Sequence, residues 1–200
     1  MISCSERDSV REATLKHLAA TDWGDRPVHV EMDRSTAQRR QERQEQTARL
    51  ALQQGLEAEA DYLLFLEDDL IFNRHLLHNL TNWKPLREDS VTLAGIYNPN
   101  IGWWKWEQKD HYLEADPNTI YGSQAFVVSQ AAAKFIVEHW SDLPGMQDIK
   151  MSRLAACLGK PLYYHVPSLV QHVGNNSVWG GHFHQTHDYD AEWRASDSVP

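Results

Sequence analysis

Apolar positions along this chain fall into short unbroken runs, separated by stretches in which they recur at helical spacing. The clearest run is Tyr62-Leu63-Leu64-Phe65-Leu66, followed by Glu67-Asp68-Asp69 and then by Leu70-Ile71-Phe72. A continuous run this short reads as a strand buried on both faces. Met1 to Cys4, Pro27 to Met32, Ser90 to Tyr97, Gly122 to Val128 and Pro161 to Gly174 read as further strands. Between them, helical spacing appears in Val10, Ala13, Leu15, Leu18 and Ala19, and in Ala48, Leu52, Leu56 and Ala60. It returns in Leu76, Leu77 and Leu80, then from Ala132 to Trp140, where Ser129 is the expected N-cap, and again from Ile149 to Leu158. Strands alternating with helices predict an α/β fold with a mainly parallel central sheet. The segment Gln38 to Gln46 is expected to be helical but lacks an apolar face, as a solvated helix turn or a mobile segment would.

Composition narrows the class. Two hundred residues suit one domain, expected over 1–190, with a disordered tail over 191–200. The formal charge of -9 does not favour a nucleic-acid surface. Two cysteines, Cys4 and Cys157, make neither a disulfide framework nor a metal spacing, which fits a reducing cytoplasm. No apolar run reaches the length of a membrane span, and no signal-peptide core is evident at the start.

Several polar positions carry candidate chemistry. Three acids cannot be buried without partners, so Glu67, Asp68 and Asp69 should lie at a strand's carboxyl end, in the crevice of an open sheet. Clustered there, they repel one another unless a hard cation joins them; a solvated acidic turn is the plainer alternative. Trp103, Trp104 and Trp106 form either an aromatic platform for a sugar or apolar acceptor, or a hydrophobic clasp. Asp148 stands at a helix start, where an aspartate satisfies orphan N–H groups. His182, His184, His187 and Asp188 raise a zinc-hydrolase alternative, although their order departs from the HxHxDH pattern.

Leu64-Phe65-Leu66-Glu67-Asp68-Asp69 resembles the DXD-type acidic motif of glycosyltransferases with the GT-A fold, a Rossmann-like α/β fold. Pro167-Ser168-Leu169-Val170-Gln171-His172 resembles a carboxyl-terminal segment of N-acetylglucosaminyltransferase-IV-like enzymes. The resemblance spans nearly the whole chain, although its first strand is shorter than the family's. It implies Mn²⁺ or Mg²⁺ bridging Asp69 and the diphosphate of a nucleotide-sugar, with His172 completing the metal site. It places Ser5, Arg7 and Asp33 at the base and ribose of the donor, beside Glu67, Asp68 and Asp69. It puts Trp103, Trp104 and Trp106 on the acceptor side and makes Asp148 the catalytic base of an inverting transfer.

The expected function is therefore transfer of a hexosyl or N-acetylhexosaminyl group from a nucleotide-sugar, a UDP-sugar in the first place, to the hydroxyl of an unknown acceptor. Two other classes use similar parts. A metal-dependent nucleotidyltransferase would release pyrophosphate instead of a nucleoside diphosphate. A non-catalytic nucleotide-sugar-binding module would bind donor without turnover.

Overall fold

A computed structural model of the chain describes residues 1–37, 39–99, 111–118, 120, 122–174 and 184–197. The expectations for Trp103, Trp104 and Trp106 lie outside the described residues.

The run that opens at Tyr62 forms β3 (Tyr62–Leu66), and the three acids end it. Before it come β1 (Ile2–Ser3), α1 (Asp8–Ala19), β2 (Glu31–Met32) and α2 (Arg40–Gly55). After it come β4 (Leu70–Phe72), α3 (Leu76–Asn82), α4 (Lys84–Arg87), β5 (Leu93–Gly95), β6 (Tyr112–Ala115) and β7 (Ala125–Ser129). The chain continues through α5 (Gln130–Glu138), α6 (Gln147–Ala156), β8 (Leu162–His165) and β9 (Val170–His172). Ser129 caps α5 as expected, its Oγ accepting from the Ala132 N–H.

Five strands form one mixed sheet in the order β3-β7-β5-β8-β6. Alternate side chains of each strand go to opposite faces, and because both faces are covered, β3 and β5 carry no polar residue. Phe65, Phe126, Leu93 and Tyr164 point to one face, where they meet Ala48 and Leu52 of α2, Ala132, Ala133 and Ile136 of α5, and Met151 and Leu154 of α6. Leu66, Ala125 and Val127 point to the other face and meet Leu18 of α1 and Leu76 and Leu80 of α3. Helices thus cover both faces of an α/β fold.

The mainly parallel sheet does not hold. The β3–β7, β5–β7 and β6–β8 pairings are antiparallel, and only β5–β8 is parallel. Strand direction is set by connections, and an apolar run fits either direction. The chain passes from β3 to β5 through α3 and α4, and from β7 to β8 through α5 and α6. β3, β5 and β8 consequently share a direction, as these pairings require. Among the described residues no helix lies between β5 and β6 or between β6 and β7, and β6 and β7 both run the opposite way. The carboxyl ends of β3, β5 and β8 and the amino end of β7 therefore meet along one edge.

Two small sheets complete that edge. β1 pairs in parallel with β2, and the Asp33 N–H donates to the Ser3 carbonyl just beyond the pair. β4 pairs antiparallel with β9, which carries His172 opposite Leu70. Residues 191–197, expected to be disordered, bond to α3 and its approach: Asn73 Nδ2 donates to the Trp193 carbonyl at 2.8 Å, and the Ala195 N–H donates to Asn79 Oδ1 at 2.8 Å. Among the described residues, no helix is long and apolar enough to cross a membrane.

Candidate functional site

The acids Glu67, Asp68 and Asp69 lie between β3 and β4, all buried. Each has different neighbours, so three adjacent carboxyl groups acquire three different characters.

Asp68 is held by the first strand and turn. Ser3 Oγ donates to Asp68 Oδ2 at 2.5 Å, and Arg7 Nε lies 2.8 Å from Asp68 Oδ1. Thr14 of α1 bridges the backbone, donating to the Asp68 carbonyl and accepting from the Leu70 N–H. Burial pushes the Asp68 carboxyl upward, and Ser3 and Arg7 pull against it.

Asp69 is the most strongly paired. Its Oδ2 accepts from Arg7 Nη2 at 2.5 Å and faces His172 Nε2 at 3.0 Å. Burial alone would raise this carboxyl, but the His172 and Arg7 charges outweigh it and hold Asp69 below the usual carboxylate range. Burial lowers His172 in turn, and its bond to Asp69 more than restores it, so the imidazole is raised overall. The second oxygen, Asp69 Oδ1, is buried with no hydrogen-bond partner. Gly174 approaches the carboxylate so closely that a Cβ there would collide with Asp69 Oδ2.

Glu67 faces the other way, toward side-chain donors. Its Oε1 accepts from Ser123 Oγ at 3.1 Å and Gln147 Nε2 at 3.0 Å, with Gln44 Nε2 at 3.5 Å. Burial, followed by the Asp69 charge, pushes Glu67 up to about 8, so it holds its proton at neutral pH. Of the three acids, Glu67 is therefore the neutral member.

His172 is oriented from behind. Its Nδ1 donates to the His184 carbonyl at 3.1 Å while Nε2 donates to Asp69, so the imidazole meets an acceptor at each nitrogen. Tyr97, just past β5, packs at the rear and bonds through its hydroxyl to His184 Nδ1 at 2.7 Å. Burial and the charges of Asp69 and Glu67 push the Tyr97 phenol upward, so it stays protonated.

Of the other expected residues, Asp33 lies just beyond β2, next to Ser3, and is taken by Arg43, with Nη2 at 2.6 Å from its Oδ2. Ser5 is exposed and bonds to Glu6, away from the acids. Arg7 joins the site through Asp68 and Asp69. Asp148 lies in the first turn of α6, where Met146 occupies the N-cap. Its Oδ1 accepts from the Ile149 N–H at 2.8 Å and its Oδ2 from the Gly122 N–H at 3.2 Å. The adjacent Gln147 touches Glu67, so the start of α6 abuts the acidic cluster. His184 joins the site, and His187 is exposed.

Ser3, Thr14, Gln44, Tyr97, Ser123, Gln147 and His184 were not singled out from sequence as partners of the acids. Of these, Tyr97 at the end of an apolar run, Gln147 beside Asp148, and His184 within the histidine-rich tail occupy positions that pointed toward a site.

A divalent ion can be tested against these groups. Two ligands at about 2.1 Å in neighbouring octahedral positions stand about 3 Å apart. Asp69 Oδ2 and His172 Nε2 have that separation, Asp69 Oδ1 is an available buried acceptor, and with Nδ1 held by the His184 carbonyl, Nε2 is the nitrogen that would bind the ion. Carboxylate and imidazole together suit Mn²⁺. Such an ion would displace the proton that His172 shares with Asp69. Among the described residues, no group of three His, Cys, Asp or Glu forms a metal cage, so further ligands would come from substrate or water. The chain matches no protein-family model and no curated protein significantly.

Proposed function

We propose that this chain is a metal-dependent glycosyltransferase of the GT-A type, which moves a sugar from a nucleotide-sugar, most simply a UDP-sugar, to an acceptor hydroxyl with inversion. The observation that carries the reading is the pairing of Asp69 with His172. Two elements far apart in sequence bring a carboxylate and an imidazole to 3.0 Å at the carboxyl end of co-directional strands, and the carboxylate keeps one buried oxygen unpartnered. Ligands of open α/β sheets bind at such an edge.

Asp69 and His172 would hold Mn²⁺ or Mg²⁺, which when bound neutralises the diphosphate leaving group. Arg7 fixes the Asp68 and Asp69 carboxylates and offsets their charge. Protonated Glu67 adds no further negative charge beside a diphosphate. Ser3 and Asp33 line the β1–β2 end, where a nucleoside would rest. Asp148, at the start of α6, is the general base that takes the acceptor's proton. Cys4 and Cys157 are both free thiols, which supports a reducing, cytoplasmic location.

The test is a thermal-shift screen of nucleotide-sugars with and without Mn²⁺, followed by analysis of the released product. A donor at a hundred times its dissociation constant should add about 2.7 kcal/mol of stability, and only when the metal is present. Release of a nucleoside diphosphate supports transfer. Release of pyrophosphate would indicate a nucleotidyltransferase, and binding without turnover a non-catalytic module.

A further inference from the structure

A cavity of about 570 Å³ lies apart from the carboxylate cluster, among α3, α4, the end of β8 and residues 193–196. Trp83, His111, His165 and Trp193 line it, with Lys84 and Arg87 of α4. His165 has the parity of Tyr163, opposite to Tyr164, so it projects from the sheet face away from α5 and α6.

His165 has no evident structural role for one of its nitrogens. Nδ1 bonds to the Pro167 carbonyl at 2.7 Å, which fixes the tautomer and makes Nε2 an acceptor. Nε2 is buried with no hydrogen-bond partner, in a residue only 1% exposed. Burial pushes the imidazole down to about 3, so Nε2 remains an acceptor throughout the physiological range. The ring is flanked by Trp83 at 5.0 Å and Trp193 at 5.4 Å between centroids.

An unmet acceptor between two indoles calls for a ligand that presents an O–H beside an apolar ring face. A saccharide does both, placing its C–H face on an indole and a hydroxyl on the nitrogen. The rim adds charge selection. Lys84 and Arg87 are exposed and form no ion pair among the described residues, and the neighbouring Glu88 also lines the cavity. Two cations and one anion leave a single positive charge, which suits one carboxylate better than a nucleoside diphosphate.

We propose that this cavity is a second saccharide site that takes a singly charged acidic sugar, with a hydroxyl donating to His165 Nε2 and the carboxylate meeting Lys84 and Arg87. The half-buried Trp193 forms the outer wall and tilts outward to admit the hydroxyl. Binding here needs neither Asp69 nor a metal, so it stands apart from the transferase reading.

Saturation-transfer NMR on the full chain, with glucuronic acid as probe and glucose as neutral control, measures the binding. The ¹⁵N shift of His165 Nε2 reports whether the nitrogen is engaged. Saturable glucuronate binding is expected, weaker by about 10-fold in the Lys84→Ala/Arg87→Ala double variant, whose changes are at the surface. The His165 Nε2 signal should move on binding, and wild type in the presence of a chelator should bind glucuronate normally. No saturable binding, equal binding in the double variant, an unmoved Nε2 signal, or loss of binding with chelator would each overturn the proposal.

Discussion

Replacing Glu67 by Gln should make the protein more stable at neutral pH, although it alters a buried residue in the middle of the site. Glu67 is raised to about 8 in the folded protein, chiefly by burial and then by the Asp69 charge. An unfolded glutamate titrates near 4.3. Between these values the folded state holds a proton that the unfolded state has lost, so stability falls as pH rises. From pH 5 to 7.5 this group should cost the wild type about 3 kcal/mol. Gln does not titrate, has the shape of the protonated acid, and keeps an oxygen for the Ser123 and Gln147 donors. The variant should therefore gain about 3 kcal/mol relative to wild type across that interval, or roughly 6–12 °C in Tm for a chain of this size. Urea unfolding at both pH values measures the difference. If the stability gap between variant and wild type is the same at pH 5 and pH 7.5, Glu67 does not hold its proton in the fold, and the division of the three acids into one neutral and two charged groups fails.

Removing the guanidinium in Arg7→Met leaves Asp68 and Asp69 buried without their shared cation, which should cost about 3–5 kcal/mol in urea unfolding at pH 7; a loss below about 1 kcal/mol would show that the pairs contribute little. Gly174→Ala should fold but push the Asp69 carboxylate aside, weakening Mn²⁺-dependent donor binding about 10-fold by calorimetry; unchanged affinity would show that the carboxylate's position there is not required. Asp148→Asn should lower kcat by about 10²–10⁴-fold with donor binding intact, and a near-normal kcat, or a product that retains the donor's anomeric configuration, would leave Asp148 with only its bonds to Ile149 and Gly122.

The parts of this site that could be read from sequence are those written into a single run of residues. Five apolar residues followed by three acids announced a strand buried on both faces with carboxylates at its end. β3 is that strand, and its end and the acids are buried, but it lies at the sheet edge and Tyr62, Leu63 and Leu64 are only partly buried. The segment around His172 was also legible, although it breaks into β8 and β9, in separate sheets. Strand direction was not legible, because Ala125 to Ser129 alternates identically whether it runs with or against β3. β6 was missed because Tyr112-Leu113-Glu114-Ala115 lies at the sheet edge, is only partly buried, and lacks an unbroken apolar run.

Partnerships across long sequence separations left no local trace. Arg7 gives no sign in its own neighbourhood that it will meet Asp69, 62 residues away. The polar start of α2 shows the same limit from the other side. Its missing apolar face resembled a solvated or mobile segment, yet Gln44 is buried against Glu67, Arg43 binds Asp33 and Glu45 binds Lys150. Arg43, Gln44 and Glu45 are polar because they face a buried polar network, whereas Arg39 to Glu42 and Gln46 are exposed as a solvated turn is, and composition alone cannot separate the two.

The central claim is that Asp69 and His172 hold a metal for a nucleotide-sugar. Calorimetric titration of UDP-sugar into wild type, Asp69→Ala and His172→Ala, with Mn²⁺ and then with chelator, tests it most directly. The account predicts metal-dependent binding in wild type, weaker binding in His172→Ala and none in Asp69→Ala. Asp69→Ala protein that remains folded and binds the donor with unchanged Mn²⁺-dependent affinity would contradict it.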